Sequence, residues 1–207
     1  SYEIGQPTHC YDYSKVSEGL ELKKIKTDQE FKTITNKEVS LLETNLIFTL
    51  GDKPVNLAGI MGDASTGCSS STHTILLECA YFEPQSIAGK STKYDLGSDA
   101  AYKFERGTDP EGVEVAIRRF IQIVSDHTKI KDLKIFRQNN LKKIDKFVEH
   151  DLSKINSILG SNVKEIDFDR YLNNLGFSIR DKKIFTPSHR HDIESCNDIA
   201  EEIARML

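Results

Sequence analysis

Apolar and polar positions change rhythm about two-thirds of the way along the chain. In the first part, short runs of period two are separated by turn signals. Residues 20–25, with Leu20, Leu22 and Ile25 set against Glu21 and lysines, predict a strand. Residues 45–50 and 55–60 are apolar runs joined by Gly51-Asp52-Lys53-Pro54, the composition of a hairpin connection. Residues 74–79 are mostly apolar, with one carboxylate, Glu78, at the end. Such a run predicts a strand buried on both faces, hence a sheet covered by other elements. Pro84 is placed to open a helix, because the first helical turn has no use for the N–H that proline lacks. Residues 111–126 are the clearest helix, with Val113, Ala116, Ile117, Phe120, Ile121 and Val124 recurring three and four apart, Pro110 at the start, and Arg118 and Arg119 on other faces.

Residues 126–140 break the pattern with lysines, a strand-like stretch at 133–136 and the polar Arg137-Gln138-Asn139-Asn140. Beyond them Asp151 can cap a short helix that runs to Leu159 and ends at Gly160. A second helix is expected over 167–175, closed by Gly176. Residues 177–179 and 184–186 flank Arg180-Asp181-Lys182-Lys183 as a hairpin, and 197–207 carry a helical stripe of Ile199, Ile203 and Leu207. Two helices, a hairpin and a third helix suggest a small winged-helix-like module. The fold class expected is therefore α+β: a mixed α/β domain over 1–138, then a winged-helix-like α+β domain over 139–207.

Composition narrows the function. The 207 residues are 38% hydrophobic and 29% charged, with a net charge of −4 and a pI near 5.9. That is ordinary globular composition, and it makes no global electrostatic case for nucleic-acid binding. No apolar run approaches the roughly 18 residues of a membrane span, and the polar start, Ser1 to Pro7, has neither a signal-peptide core nor an initiator Met. It reads as a segment cut from something longer. Cys10, Cys68, Cys79 and Cys196 are scattered, as reduced thiols in a cytoplasmic protein would be, rather than spaced as a disulfide frame or zinc site.

Five stretches, in order, carry a resemblance that periodicity does not supply. They are Gly5-Gln6-Pro7-Thr8-His9-Cys10-Tyr11-Asp12; Leu57-Ala58-Gly59-Ile60-Met61-Gly62 with Leu76-Leu77-Glu78-Cys79-Ala80-Tyr81-Phe82; and Ser98-Asp99-Ala100 with Phe104-Glu105-Arg106-Gly107-Thr108-Asp109-Pro110. Pro187-Ser188-His189-Arg190-His191-Asp192-Ile193 and Asp198-Ile199-Ala200-Glu201-Glu202-Ile203-Ala204-Arg205 complete the set. The sequence resembles the β subunit of bacterial phenylalanyl-tRNA synthetases over nearly its whole length, as an internal fragment with the editing domain and the domain that follows it.

The resemblance implies proofreading: hydrolysis of tyrosine wrongly esterified to the phenylalanine tRNA. Tyrosine is phenylalanine plus a hydroxyl, and an apolar synthetic pocket rejects an added hydroxyl only about 10²-fold. A second site that requires the hydroxyl does better. By resemblance Glu78 accepts the substrate phenol, Gly62 and Ala100 (with Ser98 beside it) wall the pocket, and His9 positions the ester or a water. No nucleophile–base set is spaced in a motif, so water is expected to attack. The partners implied are the synthetase α subunit in a heterotetramer, tRNA(Phe) and tyrosine as editing ligand. ATP and Mg2+ belong to the parent enzyme, with no cofactor in this stretch and no metal site, since His189 and His191 are two ligands lacking a third.

Departures from the family pattern are Asp63 after Gly62, Ala101 and Lys103 before the Phe104 block, and Asp95 in place of a glycine. Asp63 is expected to put a carboxylate near the pocket mouth, and it favours a rival reading: a non-editing scaffold and tRNA-binding module. Asp95 is expected to weaken any tRNA contact there. Arg106 and Asp109 read as structural, Asp109 with Pro110 capping the next helix. Asp198, Glu201 and Glu202 read as an exposed helix face or a subunit contact.

Overall fold

Alternating side chains build short strands in the first part of the chain, and helices follow them. A computed structural model describes residues 1–141 and 145–207, which fall into two units, Ser1–Lys129 and Ile130–Leu207. The first unit runs β1 (His9–Asp12), α1 (Tyr13–Val16), β2 (Glu21–Lys24), β3 (Gln29–Lys32), β4 (Glu38–Leu41), β5 (Leu46–Leu50), β6 (Lys53–Leu57), β7 (Met61–Gly62) and β8 (Ile75–Glu78). Four helices follow: α2 (Pro84–Ile87), α3 (Lys90–Tyr94), α4 (Asp99–Arg106) and α5 (Val113–His127). The main sheet has the antiparallel order β2-β5-β6-β7, while β1 pairs with β8 and β3 with β4.

The expected hairpin is β5–β6, turning at Gly51 and Asp52 with Gly51 at φ 55°. Its register shifts between Phe48 and Thr49, where Pro54, with no N–H to give, lies opposite Thr49. Apolar faces of this sheet meet Phe82, Ile87 and Phe104 around Ile47, Leu57 and Ile60 to form the core. Two expectations change. The 74–79 run is not buried on both faces: β8 has a single partner strand and its residues are exposed or half-buried. In α5 only Ala116 is buried, and the helix begins at Val113 behind a turn in which Asp109 accepts from the Glu111 N–H. Asp109 thus braces the approach to α5 rather than capping it.

In the second unit β9 (Phe147–Glu149) precedes α6 (Leu152–Leu159), α7 (Glu165–Asn174), β10 (Ser178–Arg180), β11 (Lys183–Phe185) and α8 (Cys196–Met206). Residues 133–136 form no strand; Leu133, Ile135 and Phe136 are exposed, so nothing there pays for ordering an edge. The expected 138/139 division falls within the irregular stretch that opens this unit. Asp151 does cap α6 by accepting from the Lys154 N–H, and Gly160 closes it in the left-handed conformation. The sheet is antiparallel in the order β10-β11-β9. Ile179, Ile184 and Val148 form one cross-strand row, while Ser178, Phe185, Phe147 and Arg180, Lys183, Glu149 form the rows that alternate with it. The isoleucine row faces a core of Ile155, Phe168, Leu172, Ile199 and Ile203.

Of the acids expected on an exposed face of α8, Glu201 is exposed and pairs with Arg205, while the other two are engaged within the unit. Asp198 completes a capping box with Ser195, and Glu202 is buried, accepting from Arg190 at 2.9 Å and Arg205 at 2.6 Å. Arg190 also grips Asp192 through two nitrogens and holds its carboxyl down, at a pKa of about 2. Both units combine helices with antiparallel sheets, so the class is α+β. No helix among the described residues is long and apolar enough to cross a membrane.

The core of the second unit sets its stability. Ile155 is fully buried and Ile166 is 77% exposed. Ile155→Ala should cost about 3 kcal/mol in denaturant unfolding, and Ile166→Ala less than about 0.5 kcal/mol. Equal losses would put the core elsewhere.

Candidate functional site

A cleft of about 200 Å³ opens beside the β1–β8 ladder. Its lining includes His9, Asn56, Gly62, Glu78, Ala100 and Phe104. That volume is below the about 300–1,000 Å³ of sites that enclose whole drug-sized ligands, so it suits one side chain. His9 and Glu78 are paired across the ladder and therefore share a face. Buried Gln6 ties the approach to β1 to the exit from β8 by donating to the Ala80 carbonyl at 2.8 Å.

Gly62 stands against His9. A Cβ at position 62 would lie 2.5 Å from Cε1 and 2.7 Å from Nε2 of the imidazole, closer than atoms can approach. The glycine is needed for that approach and not for a left-handed turn, since its φ lies outside that region. Gly59 is under both demands: its φ is 72°, and a Cβ would meet the side chains of Ile87, Phe82 and Phe104 at 2.9–3.2 Å. Ala100 lies in the first turn of α4. Ser98 does not line the cleft. It caps α4, accepting from the Ala101 N–H at 3.1 Å and donating to the Ile60 carbonyl at 2.8 Å, and so sets where Ala100 sits.

The polar groups form a chain. Asn56 donates to the Tyr11 hydroxyl at 2.6 Å, and Tyr11 donates to Glu78 Oε2 at 2.8 Å. Asn56 also reaches Oε2 at 3.4 Å. Burial raises the Glu78 carboxyl to a pKa of about 7, against the Tyr11 hydrogen bond that lowers it. Burial also lowers the pKa of His9, partly offset by the charge of Asp63. Among the described residues the buried His9 Nε2 has no hydrogen-bond partner. Tyr11 and Asn56 carry no signal of their own in the sequence, because one sits inside a motif and the other in an apolar run where periodicity assigns it to packing. Two polar side chains on strands that converge on Glu78 were the available signal.

Asp63 lies outside the cleft. Its carboxylate accepts from the Thr66 N–H at 3.0 Å, from the Thr66 hydroxyl and from Ser65, and it pairs with Lys53 at 3.7 Å. It borders a wider groove of about 590 Å³ instead. Asp95 takes the left-handed conformation that glycine usually fills, φ 51°, closing α3, and binds Lys37 at 2.6 Å. Arg106 stacks 3.7 Å over Tyr102 and donates to the Tyr102 carbonyl within α4.

Comparison with known proteins agrees with this layout. The B3/4 domain model matches residues 1–129, and the tRNA synthetase B5 domain model matches 148–207. The chain is 36% identical over 214 residues to the phenylalanine–tRNA ligase β subunit of Syntrophus aciditrophicus and 32% identical over 211 residues to that of Coxiella burnetii. Each alignment takes in 99% of this chain and 27% or 26% of the relative, so the chain spans about a quarter of their length. An N-terminal fragment of the Pyrococcus horikoshii phenylalanyl-tRNA synthetase β-subunit covers 97% of the chain, and the chain 60% of it, at 13% identity and a TM-score of 0.47. With the B3/4 model covering most of its residues and a B5 domain following in the same order, the chain belongs to the phenylalanine–tRNA ligase β-subunit family.

Proposed function

We propose that the first unit proofreads, hydrolysing tyrosine wrongly esterified to tRNA(Phe), as part of a cytoplasmic phenylalanine–tRNA ligase assembled from α and β subunits. The observation that carries this reading is the placement of Glu78 and His9 together in a cleft that takes one side chain, with the small residues Gly62 and Ala100 in its wall. The substrate phenol donates to Glu78. Water attacks the ester carbonyl, the ester C–O bond breaks, and the terminal ribose hydroxyl of the tRNA leaves with a proton. Neutral His9, whose Nε2 is unpaired among the described residues, is suited to hold that water or the ester oxygen. Positioning is enough for an ester that is already activated.

Discrimination here has a bound. Tyr11 and Asn56 already satisfy one oxygen of Glu78, so a phenylalanine ring in the cleft strands less than a bare carboxylate would. The scaffold reading rested on Asp63, and with that carboxylate tied into its own turn nothing in the cleft favours it. The second unit is assigned an assembly or RNA-proximal role. Among the described residues no three His, Cys, Asp or Glu side chains gather as a metal would require, and no step is routed through the ATP and Mg2+ of the whole ligase.

Deacylation of tyrosyl-tRNA(Phe) by the α/β ligase containing this chain, with phenylalanyl-tRNA(Phe) as control, tests the reading. Glu78→Ala should reduce the preference for tyrosine about 10- to 100-fold, the worth of one hydrogen bond to a charged group. A wild type that spares tyrosyl-tRNA while charging normally would refute proofreading. The same preference should rise with pH through about 7, because Glu78 is protonated below that value and a charged acceptor above it; in Glu78→Gln the profile should be flat between pH 6 and 8. Gly62→Ala should lose most deacylation of both esters while remaining folded, as the methyl displaces the His9 ring. Retention of full activity would show that the ring's position is immaterial.

A further inference from the structure

Glu78 is held by a residue that the proofreading reading leaves unused. Tyr11 is fully buried and is not part of the cleft lining, yet its hydroxyl lies 2.8 Å from Glu78 Oε2. It stands two residues from His9 on the same face of β1, with the two rings edge to face at 4.4 Å. One side chain therefore backs both His9 and Glu78.

A phenol has one proton. Tyr11 spends it on Glu78 and takes the Asn56 amide on its oxygen, so it has nothing left to donate to a substrate. The effect falls on Glu78. Among the described residues Oε1 receives no hydrogen bond, while Oε2 has Tyr11 at 2.8 Å and Asn56 at 3.4 Å. A carboxylate at the end of a strand can otherwise turn and present either oxygen. Resting on the proofreading reading, we propose that Tyr11 is a positioning residue for tyrosine selectivity: its phenol anchors Glu78 through Oε2 and leaves Oε1 as the acceptor presented to the substrate hydroxyl.

The electrostatics point the same way. A hydrogen bond donated to a carboxyl favours its charged form, and Tyr11 is the group that opposes the effect of burial on Glu78. The other groups around this carboxyl are His9 from β1, held neutral by burial; Asn56 from β6, uncharged; Cys79, the next residue after β8, whose thiol burial also raises; and Asp63 beyond Gly62, which acts on His9 and Tyr11. None replaces the Tyr11 proton. Without it Glu78 should take up its own proton at higher pH and turn freely, and a protonated, mobile carboxyl is a poorer test for a phenol.

The experiment pairs two readouts on Tyr11→Phe. Carboxyl 13C NMR of the 207-residue chain follows the titration of Glu78, and tyrosyl- against phenylalanyl-tRNA(Phe) deacylation by the α/β ligase follows selectivity as a function of pH. The expected result is an upward move of the Glu78 midpoint, an about tenfold loss of tyrosine preference at pH 7, and recovery of that preference above the new midpoint. A merely structural role would not give recovery with pH. A folded variant with unchanged titration and unchanged selectivity overturns the proposal. If Tyr11→Phe does not fold, 3-fluorotyrosine at position 11 keeps the shape and strengthens the donor. Both midpoints should then move down, and fixed midpoints overturn the proposal. Should the wild type spare tyrosyl-tRNA, the proofreading reading fails, and the selectivity role of Tyr11 is overturned with it; the NMR titration still reports separately whether Tyr11 holds Glu78.

Discussion

One buried hydrogen-bond chain, from Asn56 through Tyr11 to Glu78, joins the main sheet of the first unit to the separate β1–β8 ladder. Among the described residues the ladder holds two strands, with one further bridge from Tyr11 to Gly67. Its inner face must be polar at the cleft and yet closed to water at Tyr11, and the chain reconciles those demands by satisfying each buried group with another. A single lost partner in such a network costs about 1–3 kcal/mol, because the group left behind cannot return to water. The residues that give the cleft its chemistry are thus the same ones that hold its walls together.

Around this chain the sequence supplies space rather than contacts. Gly62 lets an imidazole lie where a Cβ would be, and Gly59 lets Phe82, Ile87 and Phe104 close over the backbone. Ala101 is buried beneath α4 while Ala100 faces the cleft. Ser98 sets the helix against the Ile60 carbonyl and so fixes how far Ala100 stands from the opposite wall. Small residues at these points leave the pocket's dimensions to the backbone, which moves less than side chains do.

Much of this was legible in the chain, for identifiable reasons. The β5–β6 hairpin, the capped helix α6 and the apolar stripe of α5 follow from period and capping chemistry, which are local. The cleft residues were found by motif resemblance, and the structure gathers His9, Gly62, Glu78 and Ala100 around one opening. What sequence alone missed depends on partners distant along the chain. Strand β1 is four residues whose partner strand, β8, lies more than sixty positions away. Glu202 looks like surface until Arg190 folds across it. Asp63 reads as a carboxylate near the pocket mouth because its spacing to Ser65 and Thr66 does not announce the turn that holds it. Residues 133–136 had the right composition for a strand and no edge to join.

The hairpin of the second unit carries a further consequence. Asp181 and Lys182 both sit at positive φ, 50° and 56°, so the connection is two residues long and permits one pairing of β10 with β11. In that pairing Ile179 and Ile184 are neighbours on the core side, while Arg180 and Lys183 are neighbours on the other. Sliding either strand by a single residue would carry its cation, Arg180 or Lys183, into the apolar interior and put its isoleucine into water. The like charges of Arg180 and Lys183 cost little where they stand, because each lies over an aromatic ring, Phe185 at 4.1 Å and Phe147 at 3.9 Å. Charge acts here as an alignment mark: the correct register is the one that keeps both cations on rings and out of the core.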